Sequence, residues 1–179
     1  MSEKYTMASF FAGVGGIDLG FEETGRVETV YANEFDPYPV KTFNLNFAIE
    51  ADCRDIHDVQ PDDFPDVDII AGGFPCQAFS IAGYRQGFTD EKGRGTLFFE
   101  LMRLVHVKKP RIVFLENVKN LVGHDKGNTF RVILDTLKKE GYKYRYRVLN
   151  AMEYGNTPQN RERIYIAAFR DENDYEKFC

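Results

Sequence analysis

Cys76 stands in the segment Gly72-Gly73-Phe74-Pro75-Cys76-Gln77, directly after the short apolar run Asp68–Gly72. In open α/β sheets, ligands bind beyond the carboxyl ends of the strands, so a thiol there is positioned for nucleophilic attack. A free thiol has a pKa of ~8.5 and is mostly un-ionised at neutral pH unless its surroundings lower that value. The plainer reading of a cysteine is a small packed hydrophobe, and Cys53 and Cys179 are read that way. Glu116-Asn117-Val118 ends a second apolar run, Arg111–Leu115, which brings its carboxyl group to the same crevice as Cys76. Burial would raise the pKa of Glu116 and let it donate a proton; capping a helix is the alternative. Arg161 and Arg163, in Gln159-Asn160-Arg161-Glu162-Arg163, are two apart and point to one side of an extended segment. A merely charged strand entrance is the competing reading of that pair.

Phe11-Ala12-Gly13-Val14-Gly15-Gly16 offers a different chemistry. Glycines let the backbone approach a ligand closely, and a following helix presents unpaired N–H groups. The spacing is not the dinucleotide fingerprint, because Asp18 occupies the place of its third glycine. Glu34 lies 21 residues after Gly13, at the end of the next strand, where an acid can accept from ribose hydroxyls. A tight turn and a surface carboxylate would explain the same residues. Cys53, Asp55, His57 and Asp58 cluster in sequence, but they show neither a Cys-x-x-Cys pair nor paired histidines, so no metal site is expected.

These residues need elements to hold them. The patterning predicts strands over Tyr5–Phe10, Val27–Asn33, Asp68–Gly72, Arg111–Leu115, Tyr142–Asn150 and Ile164–Phe169, with a short extended piece near Glu50–Cys53. Helices are predicted over Ile17–Thr24, Pro37–Phe47, Gly95–Val107 and Asn128–Lys139, with Gly25 stopping the first and Pro37 opening the second. Alternation of this kind argues for one α/β domain over residues 1–179 with a mainly parallel sheet. The last two strands have no full helix between them, which predicts one antiparallel edge member. Ser80–Arg94 shows no periodicity and reads as a loop.

The 179 residues are 43% hydrophobic, enough for a sizeable core, and no run approaches the ~20 apolar residues of a membrane span. Met1–Ser9 lacks the apolar stretch of a secretory signal, and three cysteines do not make a disulfide framework, so a reduced cytoplasmic setting is expected. The net charge of −5 is unevenly spread. Residues 1–70 carry 4 Lys+Arg against 15 Asp+Glu, and residues 71–179 carry 19 against 13. A basic second part keeps a polyanionic partner open despite the acidic total.

Taken in order, the four motifs resemble those of the cytosine-C5 DNA methyltransferases, and the match runs from Thr6 to about Phe169. The resemblance implies a Rossmann-like S-adenosylmethionine-dependent methyltransferase fold. It implies S-adenosylmethionine over Phe11, Ala12, Gly13, Gly15 and Gly16, with Glu34 on the ribose, Phe35 against the adenine, Asp55 and Ile56 at its edge, and Pro75 close by. It further implies that Cys76 adds to C6 of a flipped cytosine, that Glu116 holds N3, and that Arg163, with Arg161 beside it, contacts O2. Gln77, Ser80, Arg85, Lys92 and Arg94 would then contact double-stranded DNA. Larger members of the family carry a target-recognition region and a terminal helix after the arginine motif. This implies a second polypeptide or a missing part, and an apolar patch where it docks. The resemblance suggests a bacterial, nucleoid-associated setting in restriction–modification. Two other readings remain: a tRNA-methylating member with the same chemistry, and a cofactor-binding scaffold without activity.

Overall fold

A computed structural model describes residues 4–75 and 97–178 of the chain. Six strands form one sheet in the order β2-β1-β3-β4-β6-β5. They are β1 (Tyr5–Phe10), β2 (Val27–Asn33), β3 (Ile69–Gly72), β4 (Ile112–Val118), β5 (Lys143–Asn150) and β6 (Glu162–Phe169). The helices are α1 (Gly16–Glu22), α2 (Pro37–Asn46), α3 (Leu97–Lys108), α4 (Asn128–Lys139), α5 (Ala151–Tyr154) and α6 (Glu172–Lys177). β1 runs parallel to β2 and to β3, whereas β5 at the edge runs antiparallel to β6. The mainly parallel sheet with one antiparallel edge agrees with the expected fold class. The chain clusters into two compact units, residues 4–73 with 99–113 and, of the described residues, 74–75, 97–98 and 114–178.

In the first unit, β1 buries Met7, Ala8 and Phe10 completely, as a central parallel strand must when both its faces are covered. α2 opens on Asp36, whose side chain accepts from the Tyr38 amide, with Pro37 in the first turn as its fixed φ favours. Phe43 and Phe47 of this helix and its C-cap stack at 4.2 Å beneath the glycine loop. The Glu50–Cys53 piece is reduced to a single bridge, Asn33 to Asp52.

The second unit buries one stripe of α4, comprising Phe130, Ile133 and Leu137. Phe130 meets the ring of Tyr146 edge-on. Two boundaries differ from expectation in a useful way. β4 extends through Val118 and β6 begins at Glu162, so Glu116 and Arg163 both lie within strands rather than beyond them. The polar residues hide these strand ends, because the apolar positions that mark a strand stop short of them.

Candidate active site

The glycine loop of the first unit is built by unusual backbone angles. Phe11, Gly13 and Gly15 all take positive φ, at 55°, 58° and 89°. Phe11 bears the cost of a side chain in that region, a conformation retained only where neighbours enforce it. Here the Ala12 amide donates to the Asn33 carbonyl at 3.1 Å and the Gly15 amide to the Ala12 carbonyl at 2.9 Å. Glu34 holds the loop from the side, its two carboxylate oxygens accepting from the amides of Gly13 (2.9 Å) and Asp36 (3.0 Å).

The glycines divide by role. A Cβ at Gly15 would lie 2.1 Å from the Phe47 ring, so the aromatic pair below it requires glycine there. At Gly13 and Gly16 an added Cβ would meet nothing within 4 Å, which leaves the loop open to a ligand. Glu34 is half-buried, and each of its oxygens keeps acceptor capacity for a hydroxyl group. Phe35 beside it is 71% exposed. A carboxylate for hydroxyls, an exposed ring for a flat base and an open backbone loop fit the nucleoside part of S-adenosylmethionine.

Asp55 and Ile56 divide between surface and core. The exposed Asp55 accepts from the His57 amide (3.0 Å) and contacts its ring nitrogen, and these bonds hold its carboxyl below the usual range. The Ile56 side chain is buried and its carbonyl accepts from Arg103, so only its amide remains for a ligand. Cys53 departs from expectation: it is exposed rather than packed, with its thiol toward the Phe35 carbonyl at 3.7 Å. Residues 53–55 lie at the surface before the chain turns inward at Ile56, so the core does not reach the thiol.

In the second unit, Arg163 Nε donates to Glu116 Oε1 at 2.8 Å across neighbouring strands. Burial pushes the Glu116 carboxyl up from its ordinary value, against the pull of Arg163 and, more weakly, Arg161. The two arginines therefore act on one carboxyl. They differ in exposure: Arg161 is exposed, while Arg163 is half-buried. Pro75 is exposed and belongs to this unit. Cys76, Gln77, Ser80, Arg85, Lys92 and Arg94 lie outside the described residues, as do the whole Ser80–Arg94 segment and Cys179.

Three site-supporting residues escaped sequence reasoning. Asn117 is 4% exposed and its amide donates to the Phe74 carbonyl at 2.6 Å, anchoring the strand exit that leads to Cys76. Asn33 donates to the carbonyls of Asp52 (3.1 Å) and Arg54 (2.9 Å), fixing the chain before Asp55. Asp18 is fully buried under the glycine loop's helix and accepts from Ser9 at 3.1 Å. Its only sequence signal was an acid at a position of α1 facing the core. Among the described residues, no group of three or more His, Cys, Asp or Glu could hold a metal ion.

The sequence pattern of the C-5 cytosine-specific DNA methylases matches residues 5–178. The type II methyltransferase M.Bsp6I of Bacillus sp. (strain RFL6) is 57% identical over 172 residues, covering 96% of this chain and 54% of the relative. M.HhaI of Haemophilus parahaemolyticus is 48% identical over 168 residues, covering 94% and 50%. The crystal structure of the S. pombe Dnmt2 methyltransferase superposes with a TM-score of 0.74 at 20% identity, covering 95% of this chain and 51% of that one. A putative DNA modification methyltransferase from an E. coli prophage gives a TM-score of 0.74 at 22% identity, covering 93% and 47%, so the fold is shared as well. The chain thus spans about half the length of its relatives. With nearly every described residue inside the matched pattern, this chain belongs to the C-5 cytosine-specific DNA methylases.

Proposed function

We propose that this chain is the catalytic and cofactor-binding part of an enzyme that methylates C5 of cytosine in double-stranded DNA. The half-buried Glu116–Arg163 pair carries the reading, because its carboxyl is biased toward the protonated form. A protonated carboxyl donates to a ring nitrogen such as N3, and a guanidinium donates to a carbonyl oxygen such as O2. Cytosine C5 is a poor nucleophile, so the reaction is divided into easier steps by covalent catalysis. The base first leaves the stack, at a cost of a few kcal/mol. Cys76 then adds as thiolate to C6, and Glu116 supports the charge gathering at N3. S-adenosylmethionine, when bound, supplies the methyl group that C5 takes up. Loss of the C5 proton restores the ring double bond and releases the thiolate.

Gly13, Gly16, Glu34, Phe35, Asp55 and the Ile56 amide would bind the cofactor, and Gln77, Ser80, Arg85, Lys92 and Arg94 the DNA. The named relatives are type II methyltransferases of Bacillus and Haemophilus, which supports a role in restriction–modification; a DNA substrate would place the enzyme at the bacterial nucleoid. Sequence recognition falls to the part of the relatives outside this chain, on the same or a second polypeptide. The chain alone is expected to be inactive or weak.

Duplex DNA carrying 5-fluorocytosine tests the assignment, because fluorine blocks the last proton loss and leaves the adduct in place. With cofactor and the completing region supplied, the chain is expected to become covalently linked to that DNA. Cys76→Ser should abolish the adduct while cofactor binding persists. Cofactor binding without any adduct in the wild type would instead favour a scaffold, and methylation of tRNA but not duplex DNA would reassign the substrate.

A further inference from the structure

The two arginines enter β6 from a long connection. Residues 151–161 separate Asn150, the last residue of β5, from Glu162, the first of β6, and these two form the closing pair of the antiparallel ladder. Hairpin connections are ordinarily about two to five residues long. A longer one costs more chain entropy to close and holds its strand ends less firmly. Arg161 lies just outside the ladder and Arg163 is the second residue inside it, so fraying at this neck would reach both. The Asn150 side chain closes the neck. Its Oδ1 accepts from the amides of Arg161 (3.1 Å) and Met152 (3.2 Å), and its Nδ2 donates to Asn160 Oδ1 at 2.8 Å. The Ala151 amide adds a bond to the Arg161 carbonyl at 3.0 Å. Capping the short helix α5 needs only the Met152 bond. The other two reach across the connection to the arginine motif itself.

From the neck, hydrogen bonds run on to the acid. Glu162, opposite Asn150, accepts at its carbonyl from Arg163 Nη1 at 2.9 Å. Its carboxylate is fixed separately, accepting from Lys119 Nζ at 2.8 and 2.9 Å. Arg163 Nε then donates to Glu116 Oε1 at 2.8 Å. The Glu162 backbone therefore holds one nitrogen of the guanidinium whose other nitrogen meets the carboxyl group. We infer that Asn150 is a positioning residue for the arginine motif: it fastens the base of the β5–β6 connection so that Arg163, with Arg161 beside it, is held against Glu116 in the geometry that receives the pyrimidine. This rests on the proposed function for what arrives at that pair, whereas the fastening stands on the hydrogen bonds alone. A misplacement of about 1 Å caused by a change far from the chemistry can cost about 10²-fold in rate. A side chain that touches no substrate thereby governs the step.

Hydrogen exchange of this chain reads the fastening without any variant. The Arg161 amide is expected to exchange at least about tenfold more slowly than an unprotected amide, although its residue is exposed. Asn150→Ala should remove that protection and broaden the Arg163 Nε–H signal in nitrogen-15 spectra, whereas Asn150→Asp, which keeps both amide acceptors, should preserve it. With the completing region, duplex DNA and cofactor supplied, Asn150→Ala is expected to lower the single-turnover methylation rate about 10²-fold. Affinities for duplex and for S-adenosylhomocysteine should change less than about twofold, as for a loss confined to the transition state. Asn150→Asp should recover most of the rate. If Asn150→Ala does not fold, Asn160→Ala, which removes one of the three bonds, should give the same pattern in smaller measure. An unprotected Arg161 amide in the wild type, an unchanged rate in the alanine variant, a loss of DNA affinity equal to the loss of rate, or an aspartate variant as slow as the alanine one would each overturn the inference. The expected protection pattern with neither methylation nor a 5-fluorocytosine adduct in the wild type would sink the proposed function and leave the positioning of both arginines by Asn150 in place.

Discussion

The residue that reports most directly on the chemistry is Glu116. Its carboxyl is pulled toward ionisation by Arg163 and Arg161 and pushed toward the neutral acid by burial, and burial prevails. Glu116→Gln keeps a donor but cannot switch protonation. It is expected to lower the methylation rate about 10²–10⁴-fold at every pH, measured with labelled cofactor; an unchanged rate would remove Glu116 from the mechanism. Asp18 has a thermodynamic signature of its own. Burial raises it from 3.8 to about 6, partly offset by the Ser9 hydroxyl and reinforced by Glu22. Because the folded value exceeds the unfolded one, the stability it contributes is complete below about 3.8 and is lost as pH rises through about 6. The loss amounts to roughly 3 kcal/mol at most. Asp18→Asn should therefore be stabilised relative to wild type at pH 8 and much less so at pH 5. Urea unfolding at both pH values checks this, and an equal difference at both would exclude a buried ionisation.

At the scale of elements, the glycine loop depends on α2 beneath it. Gly15→Ala would drive a Cβ into Phe47 and hold alanine at a φ of 89°. It is expected to cost ~1–3 kcal/mol in thermal or urea unfolding. Gly16→Ala, at the first position of α1 with open space above, should change stability by no more than ~1 kcal/mol. It should nevertheless weaken S-adenosylhomocysteine binding by calorimetry, since the methyl group occupies the ligand's side of the loop. Equal behaviour of the two variants would mean that the loop surface is not where the ligand sits. The sequence distinguished neither glycine, because the neighbour that separates them is Phe47, 32 residues away in the chain. By contrast, β1, β2 and the two buried strands were legible because their apolar runs are local signals. The exit of β4 and the entrance of β6 were blurred where Glu116 and Glu162 interrupt them.

For the molecule as a whole, charge is the relevant scale. Residues 71–179 carry 19 Lys+Arg against 13 Asp+Glu, opposite in sign to the first 70 residues. If this part meets DNA, affinity of the completed enzyme for duplex should fall at least about tenfold between 50 and 200 mM salt. Fluorescence anisotropy would measure it, and a salt-independent affinity would exclude phosphate contacts as the main attraction. The order and spacing of the motifs were enough to determine the family and the α/β class, because apolar runs and glycine turns are local signals, whereas the pairing of Glu116 with Arg163 came from the structure. Only the tertiary structure decided that Asp18 and Asn117 are buried partners and that Gly15 serves the packing below it. Such facts depend on which distant side chains share a volume, and one-dimensional periodicity carries no record of that.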